Sequence, residues 1–325
     1  MRRRLESALA HALLLTVRVM PDALVRASGT AIGLAFYTLD RAHRRIAERN
    51  LAAAFPVRPE AERRAIVRAA FTHFGRLAVE VLKFGTLAPA QMVARVEIVG
   101  EEHCRAAYAH GKGVLFVTGH FGFWELQALV HAARVEPIAV LARALDNPEL
   151  NRMLERIRSR TGNTIVYRKE TIRRVLRQLQ AGKGVAVLID QHTLSRDAIS
   201  VDFFERPAAT TSAVAALALR TGAPVLPVFA LPLAGGRYRM IYEHPVEPPP
   251  PDHPDAVREL TQRCTDVLEM YVRRYPELWL WMHRRWRDAE PSPEVRGMFP
   301  AALRENPENP ENPENPENPE NLENP

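Results

Sequence analysis

Between residues 96 and 242, short apolar runs alternate with stretches of helical periodicity, and this alternation restricts the fold more than any other feature. Strands are expected over residues 114–118, 138–142, 164–167, 185–189, 225–231 and 238–242. Helices are expected between most of them, over 123–133, 148–161, 171–180 and 212–221. The runs are short and continuously apolar, as in strands covered on both faces. They predict an α/β domain with a mostly parallel central sheet flanked by helices. Pro248–Pro251 reads as a stiff connection to a long helix over about 255–274.

One of these runs ends in chemistry. Gly113–Thr118 leads into Gly119-His120-Phe121-Gly122-Phe123-Trp124-Glu125, with an imidazole at the expected strand end and a carboxylate where the next helix should begin. The carboxyl ends of parallel strands are where such sheets keep reactive groups. A neutral imidazole takes a proton from an alcohol near pH 7, and a carboxylate on its far nitrogen fixes the tautomer. His120 is therefore the candidate general base and Glu125 its orienting acid. No G-x-S-x-G nucleophile elbow occurs, which points to the substrate's own hydroxyl as nucleophile and to direct acyl transfer onto an alcohol. Backbone N–H groups at Gly119 and Gly122 are candidate oxyanion donors. On spacing alone the pair is weak evidence, because His and Glu five apart recur by chance.

The two cysteines, Cys104 and Cys264, are far apart and supply neither a disulfide framework nor a zinc site. No metal-ligand cluster appears and no cofactor is expected. The net charge is +6, yet the segment from Glu305 onward holds seven glutamates and neither Lys nor Arg, so the rest of the chain is more basic than the total. Such a body suits an anionic membrane surface or an acidic carrier. Nucleic acid is not expected, since no zinc finger, RNP or helix-turn-helix signature accompanies the charge. The segment itself repeats Glu-Asn-Pro, broken only by Leu322 in place of one proline, and has almost nothing apolar to bury; it is expected to be disordered.

The first 40 residues form two apolar stretches. One begins with Arg2-Arg3-Arg4 and is interrupted by His11 and Arg18; the other, over 23–39, carries Arg26 and two glycines. Both fall short of a clean span and are expected to lie on or shallowly within a membrane, with Arg41, Arg44 and Arg45 among headgroups. An ordinary helical hairpin packed on the domain is the competing expectation. The domain plan is then 1–40 membrane-associating helices, 41–300 the main domain and 301–325 the repeat.

The motif at His120, an H-x-x-x-x-E, resembles the first motif of the lysophospholipid acyltransferase superfamily, in the form used by lipid A late acyltransferases. Further segments resemble that family in order. They are Arg45-Ile46-Ala47-Glu48-Arg49-Asn50-Leu51-Ala52-Ala53-Ala54-Phe55-Pro56, and Arg143 to Asn147-Pro148. Asp190-Gln191 with Val201-Asp202-Phe203-Phe204 and Pro207-Ala208-Ala209-Thr210 follow, then Ala223-Pro224-Val225-Leu226-Pro227-Val228, and last Trp281-Met282-His283-Arg284-Arg285-Trp286. The resemblance spans about residues 40–288.

It implies an O-acyltransferase acting at the cytoplasmic face of a bacterial inner membrane. The acyl donor would be an acyl carrier protein or coenzyme A thioester, and the acceptor a lipid A-type glycolipid. Arg143, Asp190, Gln191 and Arg284 become candidate substrate contacts. The same chemistry on a lysophospholipid or another phosphoglycolipid, hydrolysis of the thioester, and a non-catalytic lipid-binding protein are the competing readings. One position departs from the pattern: Glu205 stands where the family usually has glycine after the Phe-Phe pair. The added carboxylate is expected to bear on the acceptor headgroup.

Overall fold

The computed structural model describes residue 12 and residues 14–167, 171–193 and 198–286. The N-terminal arginines and the Glu-Asn-Pro repeat lie outside the described residues.

Three helices open the chain: α1 (Asp22–Leu39), α2 (Arg41–Ala54) and α3 (Glu60–Phe84), followed by the short α4 (Pro89–Ala94). Strand β1 (Val96–Val99) and α5 (Glu101–Ala109) come next, then β2 (Val114–Thr118), α6 (Trp124–Arg134), β3 (Ala139–Ala142) and α7 (Pro148–Arg158). The chain continues with β4 (Thr164–Tyr167), α8 (Thr171–Gln180), β5 (Gly184–Leu188), β6 (Ala198–Asp202) and β7 (Pro207–Thr211). It closes with α9 (Ala213–Thr221), β8 (Val225–Pro232), β9 (Tyr238–Tyr242) and α10 (Ala256–Arg274).

Seven strands form one sheet in the order β1-β9-β8-β2-β5-β3-β4, and β6 and β7 make a separate hairpin. Every neighbouring pair in the sheet is parallel except β8–β9. The fold is thus the expected α/β arrangement with a mostly parallel sheet. Strand β2 lies at its centre and is buried along its whole length, which is why its sequence is a continuous apolar run. Val114 and Phe116 join the core under α3, α5 and α6, together with Leu226, Val228 and Met240. The opposite face takes α10, whose Tyr271 ring stacks on Phe229 at 3.7 Å between centroids.

The N-terminal stretch over 23–39 behaves as a helix packed on the domain. A Cβ on Gly33 would lie 2.3 Å from the Phe71 carbonyl oxygen, and one on Gly75 2.4 Å from the Gly29 carbonyl oxygen. Gly29 and Gly33 on α1 and Gly75 on α3 let the two backbones touch, the geometry of small residues spaced by four along a helix. Leu24 near the start of α1, and Phe36 and Leu39 near its end, are exposed. No described helix is long and apolar enough to cross a membrane.

The β6–β7 hairpin is absent from the sequence expectation. Its turn, Phe204-Glu205, has φ of 57° at both residues, closed by a hydrogen bond from the Phe203 N–H to the Arg206 carbonyl at 2.9 Å. Positive φ at both central residues is the turn that matches strand twist and favours Asn or Gly. Neither is present, so the usual sequence sign of a hairpin is missing. The conformation also accounts for glycine as the usual family residue at the position of Glu205. Its side chain is 93% exposed and lies 3.6 Å from Arg273 on α10.

Candidate active site

Strand pairing builds the site. Strands β2 and β5 are in parallel register with Thr118 opposite Leu188. Two residues beyond each, His120 and Asp190 therefore emerge side by side at the carboxyl edge of the sheet. The Asp190 Oδ1 lies 2.8 Å from the His120 ring Nδ1, and its Oδ2 accepts the His120 backbone N–H at 2.7 Å. The Trp279 indole N–H donates to the same Oδ2 at 2.9 Å. Asp190 is fully enclosed. Burial alone would raise its pKa, but the His120 charge, the two His120 hydrogen bonds and the Trp279 N–H hold it well below the usual carboxylate range. Burial alone would depress His120, yet the Asp190 charge and hydrogen bond outweigh it and hold the imidazole above its ordinary value. Ionised Asp190 keeps the ring proton on Nδ1 and leaves the Nε2 lone pair toward the opening. Gln191 is exposed there, its amide nitrogen 3.4 Å from Nε2, a long contact that an incoming hydroxyl can replace.

The carboxylate on His120 is thus that of Asp190, not of Glu125 as expected from the motif. Glu125, at the first turn of α6, forms a two-pronged ion pair with Arg158: Nε to Oε2 at 2.9 Å, and Nη2 to Oε1. The pair stays close enough to bear on His120, where Glu125 raises and Arg158 lowers its basicity. The Glu125 side chain meets Arg158 at the end of α7.

The turn that carries His120 is locked from three sides. Gly122 has φ of 56°, and a Cβ there would come 2.0 Å from the Ala230 carbonyl oxygen, so only glycine fits. Its N–H donates to the Leu278 carbonyl at 2.9 Å, and its carbonyl accepts from His73 Nε2 at 3.1 Å. Burial pushes His73 down to about 4, so it stays neutral and donates this bond from Nε2. Because the Gly122 N–H is already used, it is not the expected oxyanion donor. Gly119 is shaped by packing: a Cβ would meet the Asp190 Oδ2 at 3.0 Å and Leu268 at 2.9 Å.

A strap from Pro276 to Trp286 covers Asp190. Phe121 and Trp279 form an antiparallel bridge, and the Leu280 N–H donates to the His120 carbonyl at 3.1 Å. The Asn50 side-chain amide donates to the carbonyls of Trp281 at 2.8 Å and His283 at 2.7 Å, tying α2 to the strap. Arg285 is buried, and donates to the Ala209 carbonyl and the Thr210 hydroxyl of β7. Its neighbour Arg284 is exposed. Arg143, expected to hold an anion, follows β3 with its side chain 83% exposed, and its nearest charged neighbour is Asp146 at 3.8 Å. The structure therefore gathers His120, Asp190, Gln191 and Glu125, and leaves Arg143 and Arg284 on the surface. Sequence reasoning missed Arg158, His73, Asn50 and Trp279. For Asn50 and Trp279 the available signal was their place in, or two residues before, the segments that resemble the family.

A profile of bacterial lipid A biosynthesis acyltransferases matches residues 2–288. The lipid A biosynthesis lauroyltransferase of Escherichia coli K12 is 28% identical over 271 residues, covering 82% of this chain and 87% of the relative. The lipid A biosynthesis myristoyltransferase of the same organism is 26% identical over 255 residues, 78% of each chain. A phosphatidylinositol mannoside acyltransferase of Mycolicibacterium smegmatis is 22% identical over 273 residues, 83% of this chain and 88% of the relative.

Proposed function

The chain belongs to the bacterial lipid A biosynthesis acyltransferase family, and from that premise we propose that His120 is the general base of an O-acyl transfer onto a lipid A-type glycolipid. The observation that carries this is the His120–Asp190 pair, with Nδ1 bound to Asp190 and Nε2 meeting the long contact from exposed Gln191. The acceptor hydroxyl gives its proton to His120 Nε2 while its oxygen attacks the thioester carbonyl. The tetrahedral intermediate collapses with cleavage of the carbon–sulfur bond, and His120 returns the proton to the departing thiolate. Ester and thiol are the products, with charge and protons balanced. Asp190 holds the tautomer and stabilises the imidazolium between these steps.

Arg158 places a positive charge beside the reacting carbonyl, and Glu125 holds it there through two of its three nitrogens. That role takes the place of the Gly122 N–H, which is bound to the Leu278 carbonyl, and stands beside the candidate donor at Gly119. A guanidinium in a partly enclosed site stabilises a developing oxyanion at a cost already met in folding.

The donor is an acyl carrier protein or coenzyme A thioester, the former favoured by the basic surface. The enzyme sits peripherally on the cytoplasmic face of the inner membrane; the exposed apolar side chains Leu24, Phe36 and Leu39 of α1 support this. The acceptor of the mycobacterial relative, a mannosylated phosphoglycolipid by its name, supports a second acceptor class for the same chemistry.

His120→Ala in the purified full-length chain tests the proposal. Acyl transfer from a carrier-bound acyl chain to extracted lipid, followed by mass spectrometry, is expected to fall to background with the fold intact by circular dichroism. Retained transfer refutes the role of His120. Free fatty acid in place of acylated lipid would assign water as the acceptor.

A further inference from the structure

A second site lies on the far side of α7 from the imidazole. There, Leu14, Met153 and Ile157 floor a pocket of about 300 Å³, rimmed by Arg18, Arg156 and Arg160. The pocket is built from three separate parts of the chain. Met153 and Ile157 are one turn apart on α7, and Gly85 follows α3, where a Cβ would come 2.7 Å from Ile157. The Lys83 ammonium donates to the carbonyls of Val17, Arg18 and Met20 at 2.9 to 3.1 Å, which fixes the segment bearing Arg18 against α3. Arg160 is pinned at the rim by its Nε bond to the Leu87 carbonyl at 3.0 Å.

The charge is one-sided. None of the three arginines has a carboxylate partner among the described residues, and no acidic residue lines the pocket. All three arginines are exposed, and with no carboxylate at the pocket an anion is the complement to their charge. The floor narrows the choice. Inorganic phosphate has no use for Leu14, Met153 and Ile157, and a neutral lipid has no use for three guanidiniums. Leu15, which also lines the pocket, is 67% exposed, and Val19 one helical turn on is 83% exposed, which extends the apolar surface outward as an acyl chain requires.

We propose that this pocket binds the phosphate of an anionic bilayer lipid, with Arg18, Arg156 and Arg160 on the phosphate and the first methylenes of its acyl chain on Leu14, Met153 and Ile157. The occupant is a resident lipid of the membrane and not the acyl donor. The site sits on the helix that carries Arg158, so the lipid surface is held against the same element that faces the imidazole. It goes beyond the acyl-transfer reading and does not need it.

The test uses the full chain without any acyl donor, so a failure of acyl transfer leaves it unaffected. Dihexanoyl phosphatidylglycerol, which is soluble, is expected to raise the melting temperature of the wild type. It should do the same for an Arg173→Gln/Arg177→Gln variant, which removes equal charge from α8. It should not do so for Arg18→Gln/Arg156→Gln. Vesicles of phosphatidylcholine containing phosphatidylglycerol should bind the pocket variant about 30-fold more weakly, and the α8 variant less than about threefold more weakly. The proposal is overturned by any of four results: no lipid-induced shift in the wild type, an equal shift from inorganic phosphate, equal loss in both variants, or a pocket variant that keeps lipid binding but loses affinity for carrier protein.

Discussion

Asp190→Asn separates the two carboxylates near His120 more sharply than any other substitution. In the native site the Asp190 Oδ2 receives two N–H donors, from the His120 backbone and the Trp279 indole, while Oδ1 faces the ring Nδ1. Asparagine has one acceptor oxygen. It must turn that oxygen to the two N–H groups, because the opposite orientation sets donors against donors. The amide NH2 then faces Nδ1, and the ring can only answer with a lone pair there. The proton moves to Nε2, and the base is lost without any change of shape. A wrong-tautomer loss of this kind is about 10³- to 10⁴-fold in kcat, or roughly 4 to 5.5 kcal/mol of barrier. Stability should fall by only about 1 to 3 kcal/mol, the range for weakened charged hydrogen bonds, because both N–H donors keep an acceptor. Glu125→Gln makes the contrast. It leaves the tautomer untouched and removes half of the Arg158 ion pair, so it should cost about 10- to 100-fold, an estimate of 1.4 to 2.7 kcal/mol. Single-turnover transfer from a radiolabelled carrier thioester reads both. The reasoning is refuted if Asp190→Asn keeps more than about a tenth of the wild-type rate, or if Glu125→Gln proves the more damaging of the two.

Further outcomes follow from the same geometry. Because Asp190 holds His120 above its ordinary value and the base must be neutral, kcat/KM should rise with pH through a limb above about 6.5. The stability contributed by the protonated pair runs the other way, present below the ordinary histidine value and lost as pH rises through the raised one. A limb at or below the ordinary value would contradict the pairing. Glu205→Gly should stabilise the chain by about 0.5 to 1 kcal/mol in urea melts, since it relieves left-handed strain and gives back part of that in chain entropy; a loss of stability would count against the turn geometry. Gly33→Ala should destabilise by about 1 to 3 kcal/mol, because the new methyl meets the α3 backbone, and an unchanged midpoint would mean that α1 and α3 do not touch there.

What the sequence displays, and what it hides, depends on whether the signal is local. The run Val114–Thr118 displays its burial because it is covered on both faces, and so it reads as a central parallel strand. Strand β1 is four residues of mixed burial at the sheet edge, and β7 begins with proline, so neither carries such a run. His120 is legible as the polar end of an apolar strand, and Asp190 likewise ends β5. That these two pair is set by the β2–β5 register, which no spacing along the chain encodes. Glu125 is only five residues from His120, yet its carboxylate is bonded to a guanidinium and not to the imidazole. Its true partner, Arg158, lies 33 residues away on another helix. Trp279 reaches Asp190 across 89 residues. Residues 168–170 and 194–197 are outside the described residues and add nothing to this comparison.

The Asn50 amide meets the Trp281 carbonyl across 231 positions of chain. During synthesis α2 emerges long before the strap, so this contact forms only after strands β1 to β9 have been made. Strands β1 to β9 are complete by Tyr242, and the sheet can therefore assemble while Trp279 is still within the ribosome. At that stage His120 has its carboxylate, but nothing closes over the pair. The site is thus set to close late, after the scaffold that positions it.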